Sequence, residues 1–158
     1  MSVFADKAAA LQREADAARS REEQEKAALE SKLKVLEVDA AAFLQKLAEL
    51  LDEERAGAPK LGFIASLTKV RDAVPVARIG LNLSFERNPA INGQKAFIFR
   101  VLVNDDRKVT TTLLQRIGSS GPATIIDKTD DLGPFDHADI VPRVNAAFSK
   151  ALDRALVL

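Results

Sequence analysis

The densest run of chemically capable side chains is Asp127, Asp130, Asp131, Asp136, His137 and Asp139. Carboxylates with one imidazole suit a hard divalent cation, which prefers oxygen ligands. Their spacing does not follow the calcium-loop pattern D-x-[DN]-x-[DN]-G. Asp residues also favour turns, and acids ahead of a helix start complement its dipole. That structural role is the simpler one, so no metal is assigned. His137 is the only histidine. An imidazole can act as a base near neutral pH, but no nucleophile is tied to it. Ser119 and Ser120 lack the strand-to-helix elbow of a hydrolase. Gly118 to Gly121 would make a small anion nest. A phosphate loop needs a following helix and a Lys-Ser/Thr pair, whereas Pro122 and a β-branched run follow here. There is no cysteine, which excludes thiolate catalysis, disulfides and cysteine metal sites. No catalytic residue or cofactor is assigned, and the expectation is a non-enzymatic protein.

The second group is basic. Arg78, Arg87, Lys95, Arg100, Arg107, Lys108 and Arg116 stand against Glu86, Asp105 and Asp106 in one stretch. Strand alternation puts Arg78, Arg100 and Arg116 on one sheet face if the registers align. Such a face attracts phosphates. Single-strand binders usually add aromatic stacking platforms. This chain has no Tyr or Trp, and its sheet phenylalanines alternate with the opposite face. A ligand- or nucleic-acid-binding module using that basic face is therefore the alternative function, not the leading one.

The elements that must position these groups begin with a rod. Residues 5–56 contain neither Gly nor Pro and are rich in Ala, Leu, Glu, Lys, Gln and Arg, the strongest helix formers. Leu29, Leu33, Leu36, Ala40, Phe43, Leu47 and Leu50 follow four-three spacing, the seam of a coiled coil. Phe4, Ala8, Leu11, Ala15 and Ala18 follow the same spacing one residue out of phase, with polar Arg19 to Lys26 between. One continuous helix is expected, on the order of 75 Å long. That exceeds the ~30 Å diameter expected of a small body, so the first half should pack on something else, most simply another copy. The expected oligomer seam is Leu29, Leu33, Leu36, Phe43, Leu47 and Leu50. The alternative is intramolecular, with the second half of the rod lying on the chain's own sheet.

Gly57 should end the rod. Leu61, Ile64, Leu67 and Val70 then predict a short second helix from Pro59 to Val74, stopped by Pro75. Four strands follow: Arg78 to Glu86, Lys95 to Asn104, Lys108 to Ile117 and Ala123 to Lys128. Asn88 to Gly93, Asn104 to Asp106 and Gly118 to Pro122 provide the turns. Short links imply an antiparallel meander. A last helix, Ile140 to Leu156 with Asp139 as N-cap, should pack on the Ile79/Phe97/Phe99 face. The other face carries Ile98, Leu102, Leu114 and one of Ile125 or Ile126. It is too apolar for a freely solvated face and should be partly covered. The fold class is α+β, divided into a rod (1–57) and a globular domain (58–158).

Overall charge is zero, but residues 1–57 hold nine Lys and Arg against thirteen Asp and Glu, and the remainder fourteen against ten. That polarity is too weak for a nucleic-acid footprint. No apolar run approaches the ~18–20 residues of a membrane span, and the charged residues within Met1 to Ala18 do not suit a signal peptide. A cytoplasmic setting is expected. The leading functional expectation is an interaction or assembly protein, a homo-oligomer with a dimer favoured, that presents its α+β body to a protein partner.

Overall fold

The computed structural model describes residues 2–87, 95–117, 122–128 and 131–158, with the side chain of Ile117 left aside. The expected turns at Asn88 to Gly93 and Gly118 to Gly121, together with Ser119, Ser120, Thr129 and Asp130, lie outside the described residues. The architecture is α+β. Helix α1 spans Val3–Asp39 and α2 spans Ala41–Gly57. A 3-10 turn, Ala58–Leu61, leads into β1 (Phe63–Asp72), followed by β2 (Arg78–Arg87), β3 (Lys95–Asn104), β4 (Val109–Ile117) and β5 (Ala123–Lys128). Helix α3, Ile140–Leu156, closes the chain. The five strands pair antiparallel in the order β1-β2-β3-β4-β5, a meander.

Three local expectations change. The rod is two helices that meet at Ala40, which takes φ −92° and ψ 5°. The hydrogen-bond ladder runs through the joint, since the Ala40 amide donates to Leu36 and its carbonyl accepts from Leu44, both at 2.9 Å. The chain therefore bends without breaking. The left-handed residue that ends this helical stretch is Gly62 (φ 79°), five residues past Gly57. The segment expected as a second helix is instead strand β1. Phe63, Ala65 and Leu67 alternate with Ile64, Ser66 and Thr68, so the stretch satisfies a period of two as well as the helical period. The two-residue period prevails because Phe63, Ala65 and Leu67 pair beside Arg87, Phe85 and Leu83 and extend the core face of β2.

All the described helices gather on one face of the sheet, the inner face. Helix α2 lies over β1 and β2, α3 lies over β3 and β4, and the two helices touch. The core joins Leu33, Leu36, Ala40, Phe43, Leu47 and Leu51 to Ile79, Leu81, Leu83, Phe85, Phe97, Phe99, Val101 and Val103. Phe148 of α3 meets Phe99 edge-on at 5.1 Å between ring centroids, in the helix-on-sheet contact expected for this helix. The core thus crosses the 57/58 division. Polar ties fix the far end of α1. Arg71 on β1 reaches Glu30 at 2.5 Å and Glu37 at 2.9 Å, and Arg107 pairs with Asp39. Residues 3–28 of α1 are exposed throughout, a projection of about 39 Å at 1.5 Å per residue.

Candidate interaction surfaces

The outer face of the sheet carries the three singled-out arginines. Strand pairing sets out its rows. Ile64, Glu86, Ala96, Arg116 and Ala123 form one row, followed by Ser66, Ser84, Ile98, Leu114 and Ile125. Thr68, Asn82, Arg100, Thr112 and Lys128 form the third, then Val70, Gly80, Leu102 and Thr110, and last Asp72, Arg78 and Asn104. The registers align as required, so Arg78, Arg100 and Arg116 share this face. A register shift between Leu113 and Leu114 brings Ile125 opposite Leu114, while Ile126 packs against the core. The apolar set therefore takes Ile125.

The three arginines differ in what they bind. The Arg78 Nε donates to Asp72 Oδ2 at 3.2 Å, and the Arg100 Nε donates to Asn82 Oδ1 at 3.0 Å. The Arg116 Nε is buried and, among the described residues, donates to no acceptor. A buried donor left unpaired costs desolvation free energy, so the position favours an incoming acceptor. Beside it lies a groove of about 210 Å³ whose lining includes Ile64, Ser66, Glu86, Ala96, Ile98 and Arg116. Ile98, Leu102 and Leu114 are buried here yet stand apart from the core beneath the helices. Ile64 and Ile125 remain 60% and 59% exposed. The intramolecular packing of the rod does not cover this face, because α2 lies on the inner one.

The expected oligomer seam is divided. Leu33, Leu36, Phe43 and Leu47 are buried in the chain's own core, and Leu29 and Leu50 are half-buried. The four-three spacing there serves helix-on-sheet packing within the chain. The upstream repeat is different, because Phe4 and Leu11 are 90% and 65% exposed.

The acidic loop is taken up by local structure. Asp131 Oδ1 accepts from the Gly133 amide at 2.8 Å, and its Oδ2 pairs with Lys108 Nζ at 3.2 Å. The Gly133 hydrogen bond, with the lysine second, holds the Asp131 carboxyl below the usual range. His137 Nδ1 accepts from the Asp139 amide at 3.0 Å. Asp139 stands at the start of α3 but makes no side-chain cap. Its carbonyl accepts from Arg143 at 3.0 Å instead. Among the described residues, no three His, Asp or Glu side chains converge as metal ligands. A cleft of about 680 Å³ lies between α3 and the β4–β5 side of the sheet, where Arg143 and Lys150 stand with Asp127 and Asp131. Sequence periodicity missed it because it depends on how far α3 leaves β5 uncovered. No described helix is long and apolar enough to cross a membrane.

No protein-family model matches the chain, and neither a curated protein nor a solved structure matches it.

Proposed function

We propose that this chain is a non-enzymatic assembly protein whose copies associate through the outer half of α1. The observation that carries this reading is the exposed stripe Phe4, Ala8, Leu11, Ala15 and Ala18, held on a helix that projects from the body. Burying a Phe or Leu is worth ~1.5–3 kcal/mol, so an exposed repeat of this kind gains from a partner. The helix is anchored at its other end by Leu33, Leu36 and the Arg71 ion pairs, which fix the arm to the body.

Light scattering on the full chain and on a chain beginning at Ala27 tests the reading. The shortened chain keeps every buried residue of the core. We expect the full chain to scatter as a dimer or larger species and the shortened chain as a monomer of its own mass. A monomeric full chain would overturn the proposal. A second reading rests on the Arg116 Nε, unpaired among the described residues, which favours an anionic ligand on the outer sheet face. The same shortened chain separates the two, because it retains the sheet face and loses the arm.

A further inference from the structure

Two surfaces of this chain complement one another. On α1, the register Phe4, Ala8, Leu11, Ala15, Ala18 continues into Glu22 and Glu25. All seven residues are exposed. One helix face is thus apolar for about four turns and then acidic. On the outer sheet face, the apolar row Ile98, Leu114, Ile125 runs between Arg116 on one side and Arg100 with Lys128 on the other. Among the described residues, the Arg116 Nε there has no acceptor.

We infer that two copies exchange their α1 helices, the outer half of each lying on the outer sheet face of the other. This rests on the assembly reading above and specifies what the arm docks on. Charge favours the sheet over a parallel helix pair. A parallel helix pair would set Glu22 and Glu25 against their own counterparts, and like charges across an interface are unfavourable. On the sheet the same carboxylates meet Arg100, Arg116 and Lys128. Area favours it too. A helix pair covers Phe4 and Leu11 of the stripe from each copy, whereas exchange adds Ile64 and Ile125, both exposed on the sheet. The arm cannot reach its own outer face, because α1 is one helix whose far end packs on the inner side. A reciprocal exchange is closed and two-fold, with each contact made twice.

The chain lacks cysteine, so site-specific cross-linking is unambiguous. Leu11→Cys and Ile125→Cys are placed in separate full-length chains, one lengthened by a tag. They are mixed, treated with a short bismaleimide and resolved by mass. We expect a product with one chain of each kind, and none from either variant alone. Ile125→Glu, at an exposed position that the fold tolerates, should weaken the dimer about tenfold or more by light scattering. If Leu11→Cys links to itself and the mixture gives no mixed product, the arm pairs with another arm. Assembly then stands and the exchange is overturned. An unchanged dimer in Ile125→Glu likewise overturns the exchange. If the unmodified full chain is a monomer, the assembly reading itself falls, and the exchange with it.

Discussion

His137 and Asp131 have the chemistry of a site, yet each is engaged by a backbone amide of its own loop. Gly80 has no reactive group and is among the most constrained positions. A Cβ built on it would lie 1.8 Å from the Val101 carbonyl oxygen, which is backbone and cannot rotate away. We expect Gly80→Ala to destabilise the fold by about 1–3 kcal/mol or more, as overpacking does. Urea unfolding at neutral pH reads this directly, and a midpoint unchanged from the natural chain would contradict it. Alternation alone conceals the constraint, since Gly80 occupies an unremarkable outward position in β2. Only the approach of β3 reveals it.

At the scale of elements, the end of α1 is tied to β1 by charge as well as by packing. The Arg71 hydrogen bond, opposed by some burial, holds the Glu30 carboxyl below its ordinary range. A carboxyl depressed in the folded state stabilises above its unfolded pKa, and that contribution is lost as pH falls through the folded value. Glu30→Gln should therefore lower the urea midpoint at pH 7, and the difference from the unsubstituted chain should shrink as pH falls below the ordinary Glu pKa of ~4.3 and on through the lowered folded value. The shift should be small, because the side chains of Arg71 and Glu30 are 44% and 39% exposed and exposed pairs contribute little. A difference that persists unchanged to low pH would assign the effect to something other than this pair. The pairing joins residues 41 apart in the chain and brings together elements that looked like two consecutive helices in the sequence.

For the whole molecule, the question is whether the rod and the body are separable. Leu33, Leu36, Phe43, Leu47 and Leu51 are buried in the same core as the sheet. Five such side chains at ~1.5–3 kcal/mol each rival the whole net stability of a typical domain, about 5–15 kcal/mol. A chain beginning at Ala58 should therefore show no cooperative thermal transition by circular dichroism. A chain beginning at Ala27 should keep one. A cooperative Ala58 chain would support the division at residue 57.

By itself, the sequence determined strands β2 to β5 and helix α3, and with them the α+β class. Each of these rests on a local period, which side-chain geometry imposes before any tertiary contact forms. The tertiary structure decided what periodicity leaves degenerate. Phe63 to Asp72 fits two periods, and β2 selected the strand by offering an edge whose inner face continues into Phe63, Ala65 and Leu67. The four-three repeat from Leu29 to Leu50 specifies a helix face that must be buried. It does not say whether against a second chain or the chain's own sheet, because both partners remove the same apolar surface from water. Packing of α2 beside α3 resolved that choice inward, leaving the upstream repeat at Phe4 and Leu11 exposed.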